Sequence, residues 1–148
     1  NRVVAQAAQI FGQRGREAGG VRFEVEADPT VGEVATDEAM VRQILDNLLD
    51  NALGAVSEGG RVGVSTGLEG ERVCVEVSDD GPGIAPDTLA RVFDPFFTTK
   101  DPGRGAGLGL AISLTYAEAM GGTLNAESKP GAGTRFRLWL PRRTPEKQ

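Results

Sequence analysis

Asn47 and Asn51 stand four residues apart, so on a helix their amides stack on one face. An asparagine inside a helix costs helix propensity, which makes a pair of them worth explaining. Two readings are open. The amides are either hydrogen-bonded to a neighbouring segment, or they supply oxygen to a hard cation such as Mg²⁺, which takes few protein ligands and fills its shell with water and phosphate oxygens. A second constellation is Asp79-Asp80-Gly81-Pro82-Gly83-Ile84. Asp79 follows Val73, Val75 and Val77 at a strand's period of two and therefore faces the core side, where a carboxylate needs donors. It is either a turn-forming aspartate or the acceptor for the exocyclic amine of a purine. In the second case Gly81 and Gly83 would let the backbone approach the ring.

The third is Gly103-Arg104-Gly105-Ala106-Gly107-Leu108-Gly109-Leu110, a glycine-alternating loop that runs into a helix. Successive backbone N–H groups there can form an anion nest, the helix N-terminus adds its dipole, and Lys100 just upstream can bring a positive charge to a terminal phosphate. No strand precedes this loop and no acidic residue follows at the required offset, so a Rossmann dinucleotide site is disfavoured; the Walker pattern is also missing. Phe93, Phe96 and Phe97 gather half of the six phenylalanines into five positions. They are either core or the anchors by which a mobile lid closes on the body. Cys74 and Trp139 read as packing.

Composition removes many alternatives. With 148 residues the chain is one domain's length. It contains no histidine, which excludes Ser-His-Asp and Cys-His nucleophiles, imidazole metal ligands and a histidine base. A net charge of -5 argues against nucleic-acid and anionic-membrane partners. One cysteine, no long apolar run and no leader-like start predict a reducing, cytoplasmic setting and no membrane contact by this domain. The excess is in glycine: 21 residues, several of them clustered as Gly81 and Gly83, Gly103 to Gly109, and Gly131 and Gly133.

The elements that must position these groups follow from periodicity. Residues 3–18 have helical spacing and stop at Gly19-Gly20; Val21, Phe23 and Val25 alternate with charged residues as a half-buried strand. Asp37 is the expected N-cap of a long helix from Glu38 to Val56, whose apolar arc runs through Val41, Ile44, Leu45, Leu48, Leu49, Ala52 and Leu53. Arg61–Leu68 and Arg72–Ser78 form a hairpin. A short helix spans Pro86–Val92, a loop or lid spans 93–106, and a helix spans Leu108–Met120. Thr123–Glu127 and Thr134–Leu140 make a second hairpin, followed by a frayed tail from Pro141. The expected fold class is α/β (α+β): a two-layer sandwich with a mixed five-stranded sheet packed on three helices.

Taken in order, the motifs resemble the ATP-binding catalytic domain of sensor histidine kinases, of the superfamily that includes gyrase, the Hsp90 chaperones and MutL. Asn47-Leu48-Leu49-Asp50-Asn51-Ala52 resembles the N box and Asp79 to Ile84 the first glycine box. Phe93-Asp94-Pro95-Phe96-Phe97-Thr98-Thr99-Lys100 resembles the F box, in the form similar to nitrogen-regulation and dicarboxylate sensors. Gly105 to Leu110 resembles the second glycine box and Gly131-Ala132-Gly133-Thr134-Arg135-Phe136 the final glycine motif. Two positions depart: Asp80 stands where Asn is frequent, and Ala106 where Thr or Ser is frequent.

The resemblance implies the Bergerat fold and binding of Mg-ATP. It would have Asn51 on Mg²⁺, Asp79 on the adenine amine, and Gly81, Gly83 and Ile84 around the base. Thr134 would sit beside the adenine, the backbone from Gly105 through Ala106, Gly107 and Leu108 to Gly109 would hold the phosphates, and Asn47 and Lys100 would lie on the phosphate side. It implies transfer of the γ-phosphoryl group to a histidine on a separate dimerisation domain of the same parent protein, and onward to a response regulator. Residues 1–19 would be the connecting helix and 93–106 the ATP lid. Lacking histidine, this chain would not phosphorylate itself. The alternatives are an ATPase of the same superfamily, which would carry a water-activating glutamate at position 47, and a docking module that binds nucleotide without turning it over.

Overall fold

The computed structural model describes residues 2–28, 31, 37–56, 59–94 and 109–141. α1 (Arg2–Gly19) and β1 (Arg22–Glu26) come first, then α2 (Glu38–Ala55). β2 (Arg61–Glu69) and β3 (Arg72–Asp79) form the first hairpin, and α3 (Pro86–Leu89) follows. α4 (Gly109–Ala119) leads into the second hairpin, β4 (Thr123–Ser128) and β5 (Thr134–Pro141).

The strands form one five-stranded sheet in the order β1-β2-β3-β5-β4. Only β1 and β2 run parallel; the other neighbours are antiparallel, so the sheet is mixed as expected. β3 lies at its centre, and its last residue, Asp79, is paired with Val62 on one side and Thr134 on the other.

α2 is the organising helix. The Asp37 carboxylate accepts a hydrogen bond from the Met40 N–H at 3.1 Å, closing the first turn as an N-cap should. Its apolar arc is buried: Ile44, Leu45, Leu48 and Leu49 are each 0% exposed. α2 packs on α1 along one flank and on α4 along the other, and all three cover one face of the sheet. From the sheet side Val62, Val64, Val75, Val77, Phe136 and Leu138 meet them. Burying side chains of this size stabilises by roughly 1.5–3 kcal/mol each before the entropic cost of ordering them.

The opposite face is polar. Arg137 donates to Glu76 at 2.9 Å and to Glu127 at 3.1 Å, and the Arg72 guanidinium lies 4.5 Å from the centre of the Trp139 ring. Cys74 shares this face; partial burial, reinforced by Glu76, pushes its thiol above the ordinary range and leaves it protonated and inert at neutral pH.

Three features depart from the sequence expectation, the first being Pro141, which ends β5 paired with Arg72 rather than opening a frayed tail. Val25 is 44% exposed rather than half-buried; among the described residues β1 is an edge of the sheet, with a neighbour on one side only. α3 ends at Leu89 rather than Val92. Beyond it Arg91, Val92 and Asp94 donate to carbonyls three residues back, a tighter turn than the α-helix. Among the described residues no helix is long and apolar enough to cross a membrane.

Candidate functional site

The two asparagines of α2 are both half-buried and have different surroundings. Asn47 Nδ2 donates to the Gly109 carbonyl and to the Ser113 hydroxyl, each at 3.0 Å. The Ser113 hydroxyl donates to the same carbonyl at 2.8 Å. A carbonyl only accepts, so the nitrogen of Asn47 must be the atom facing α4, and both its hydrogens are committed there. Its Oδ1 accepts from Gln43 Nε2 at 3.3 Å. Asn47 is thus a clamp between α2 and the first turn of α4. Asn51, one turn further along, makes no side-chain hydrogen bond among the described residues.

The sheet ends of β3, β4 and β5 form a second cluster. Asp79 Oδ1 accepts the Gly81 N–H at 2.9 Å, a bond across two residues that folds the chain back at the strand end. Burial pushes the Asp79 carboxyl above its usual range. The Gly81 N–H opposes that, the neighbouring Asp80 charge adds to it, and the Thr134 backbone opposes it more weakly. A carboxylate so placed gains from any donor brought to it. Asp80 instead ties the strand end to β2. Its side chain accepts the Arg61 N–H at 2.9 Å and its own N–H donates to the Arg61 carbonyl at 3.2 Å. An asparagine oxygen could make the same contact.

Glycine here is a matter of contact. A Cβ on Gly81 would stand 2.7 Å from the Ala55 carbonyl oxygen, which locks the loop onto the C-terminus of α2, one turn beyond Asn51. Gly83 (φ 80) and Gly133 (φ 82) are left-handed, and a Cβ on either would collide with a backbone carbonyl, that of Lys129 or of Asp79 respectively. Gly131 N–H donates to the Pro82 carbonyl at 2.6 Å, so the β4–β5 turn and the loop after β3 form one unit. Thr134 is buried beside Asp79, 5% exposed.

Of the residues singled out in the sequence, Asp79, Gly81, Gly83, Ile84 and Thr134 come together at this corner. Asn47 and Gly109 meet at the α2–α4 seam, with Asn51 between the two groups along α2. Lys100, Gly105, Ala106, Gly107 and Leu108 lie outside the described residues, as do Phe96 and Phe97. Phe93 packs edge-on against Phe136 with ring centres 6.2 Å apart, which places it, partly buried, against the core. The sequence reading missed Ser113 and Ser128. Ser113 is a fully buried hydroxyl in an otherwise apolar stretch. Ser128 bonds the Ile84 N–H, the Gly133 carbonyl and Thr134. A lone serine at the end of a strand carries no sequence signal for such a network.

Residues 36–144 match the family described as histidine kinase-, DNA gyrase B- and HSP90-like ATPase, and the chain belongs to that family. It is similar to the sensor histidine kinase ZraS of Escherichia coli K12, 39% identical over 121 residues that cover 82% of this chain and 26% of that protein. It is similar also to the alginate biosynthesis sensor protein KinB of Pseudomonas aeruginosa, 35% identical over 139 residues, 94% of this chain and 23% of that one. The chain therefore spans about a quarter of the length of these relatives. Among solved structures, the nucleotide-free catalytic domain of histidine kinase ThkA matches with a TM-score of 0.85 at 28% identity, covering 97% of this chain and 94% of that one. Full-length ShkA in complex with AMPPNP matches with a TM-score of 0.78 at 34% identity, covering 94% and 29%. The fold is that of histidine kinase catalytic domains, and the expectation drawn from the five ordered motifs holds at the level of family and fold.

Proposed function

We propose that this chain binds Mg-ATP and donates its γ-phosphoryl group to a histidine on a separate dimerising domain of the same parent protein, which passes it to a response regulator. The observation that carries the reading is Asp79: an inward carboxylate at the end of the central strand, its charge raised in energy by burial and only partly met by the backbone of Gly81 and Thr134. An adenine amine would supply the donor it lacks, with Gly81, Gly83, Ile84 and Thr134 around the base. The phosphates would then extend along α2 toward Asn51 and the start of α4, where the backbone from Gly105 to Gly109 and the Lys100 ammonium would meet them. A relative of known structure that holds AMPPNP, an ATP analogue, supports the substrate class.

Among the described residues no group of three or more acidic, cysteine or histidine side chains could form a cage for a metal. The donor that fits a metal is the Asn51 amide oxygen, a hard ligand on a chain that leaves the remaining positions to water and phosphate. Asn51 would hold Mg²⁺ there, and the ion would supply neutralisation of the charge that builds on the leaving diphosphate. The histidine nitrogen forms the new bond to phosphorus, the bond to the β,γ-bridging oxygen breaks, and ADP leaves. Hydrolysis is disfavoured because the amide at position 47 cannot act as a base, and its two hydrogens are held by Gly109 and Ser113.

Calorimetry with Mg-ATP, phosphate release and transfer to a supplied histidine domain test this together. We expect binding, transfer in trans and hydrolysis well below about one turnover per second. Turnover above that rate without transfer would favour the ATPase alternative. Asn51→Ala should weaken Mg-ATP binding or transfer strongly while leaving the unfolding curve unchanged.

A further inference from the structure

Ser128 lies where three segments converge, and the direction of each of its hydrogen bonds can be fixed by elimination. The Gly133 carbonyl, 2.8 Å away, can only accept, so the single Ser128 proton goes to it. The Ile84 N–H, 2.7 Å away, can only donate, so Ser128 Oγ accepts there. The remaining contact is with Thr134 Oγ1 at 2.9 Å, and the one proton left to make it is that of Thr134. Thr134 therefore donates to Ser128. Its hydroxyl offers any further neighbour only lone pairs. Thr134 is the direct ladder partner of Asp79, so two acceptors stand side by side at the sheet end.

From this geometry we infer that Ser128 is a specificity-determining positioning residue: by taking the Thr134 proton it makes that hydroxyl an acceptor and biases the site toward a base edge that presents an amine. The inference rests on the reading of Asp79 and Thr134 as the base side of a nucleotide site. Without Ser128 the Thr134 hydroxyl would be free to turn its proton outward and satisfy a carbonyl. Discrimination against a base carrying oxygen in place of the amine would then depend on Asp79 alone. A site built to pair a polar group rejects the mismatched analogue mainly through groups left unpaired, and here Ser128 controls one of the two.

The test is competition of Mg-ATP and Mg-ITP against a fluorescent ATP analogue on the 148-residue chain. ITP carries a carbonyl where ATP carries the amine. Ser128→Ala should lower the ATP-to-ITP affinity ratio by about tenfold, the scale of one buried polar group changing from unpaired to paired. Ser128→Thr, which keeps the hydroxyl, should retain the wild-type ratio. In a Thr134→Val background, Ser128→Ala should move the ratio no further. If Ser128→Ala does not fold, the sign of Thr134→Val alone decides: removing an acceptor lowers the ratio, whereas removing a donor raises it. An unchanged ratio in folded Ser128→Ala, or a raised ratio in Thr134→Val, overturns the inference. Failure of the wild type to bind Mg-ATP overturns the nucleotide reading as well; wild-type binding with an unmoved ratio overturns the Ser128 role alone.

Discussion

The corner at the ends of β3, β4 and β5 and the seam between α2 and α4 both contain glycines and both contain an amide or carboxylate of interest, yet they are built on different physics. At the corner the backbone segments touch. Gly83 and Gly133 are left-handed and have a carbonyl oxygen where a side chain would begin, and Ser128 joins three segments through one hydroxyl. At the seam two helices are held apart by side chains, Asn47 and Ser113 on the Gly109 carbonyl. Among the described residues, a Cβ on Gly109 would find its nearest neighbour, Asn47 Cγ, at an ordinary 3.6 Å. Glycine at the corner is therefore a condition of the fold, whereas at Gly109 the described residues leave room for a side chain.

The largest effect should come from breaking the corner. Gly133→Ala places a side chain on a left-handed backbone and drives it into the Asp79 carbonyl, so the ladder between β3 and β5 must open at the residue that carries the site. We expect a loss of roughly 2–4 kcal/mol, from backbone strain together with the displacement needed to relieve the clash. Urea denaturation should show a lower midpoint at an unchanged slope. Gly83→Ala should behave alike, since the Lys129 carbonyl plays the same part there. A loss below about 0.5 kcal/mol for both, the range of ordinary surface substitutions, would show that the corner yields easily and that the contrast with the seam is false.

What the sequence could reveal divides along a similar line. Features set by neighbours in the chain were legible: the Asp37 cap, the buried arc of α2, the alternation of β2, β3 and β5, and the inward side of Asp79, which follows from counting by two from Val73. Features set by distant segments were not. Asn47 and Asn51 look alike in sequence; packing of α4 commits the first and not the second. Ser128 is 44 residues from Ile84, and nothing local in either segment announces the bond between them. Val25 alternates correctly but lies on an edge strand, where alternation alone does not secure a cover. The glycine-rich stretch 103–108 and Lys100 lie outside the described residues, so their expected roles rest on the sequence pattern and the resemblance.

A middle-sized effect should separate stability from recognition at Asp79. Burial raises its folded-state pKa above the ordinary value near 3.8, so the folded protein binds the proton more tightly than the unfolded chain. Stability contributed by this group is then greatest below the ordinary value and is lost as pH rises through the window up to the raised one. Above that window the charged side chain is a constant burden. Asp79→Asn should remove this segment of the pH dependence and leave the protein more stable at neutral pH, with the Asn oxygen still accepting from Gly81. The same change turns an amide N–H₂ outward, a donor that suits guanine. The expected preference of the wild type for ATP over GTP, at least tenfold by the cost of an unpaired buried group, should fall to or below unity. If Asp79→Asn is instead less stable across the whole pH range and keeps the ATP preference, the carboxylate is a structural turn residue.

The smallest effect on stability belongs to Gly109, and its sign is informative. Gly109 is the first residue of α4 and is exposed, and its φ lies outside the left-handed region. Alanine there should raise helix propensity and restrict the unfolded chain, stabilising by up to about 1 kcal/mol. The Cβ meets Asn47 Cγ at 3.6 Å, within normal contact, so the clamp through Asn47 Nδ2 should survive. If the glycine is kept for the sake of a phosphate that must approach the backbone, Gly109→Ala should bind Mg-ATP more weakly even as its melting temperature rises. The two measurements moving in opposite directions would mark a position held open for ligand, in contrast to Gly133, where both should fall together. Should Gly109→Ala be more stable and bind Mg-ATP as well as wild type, the phosphates do not approach α4 at its first residue, and their contacts belong to the preceding loop.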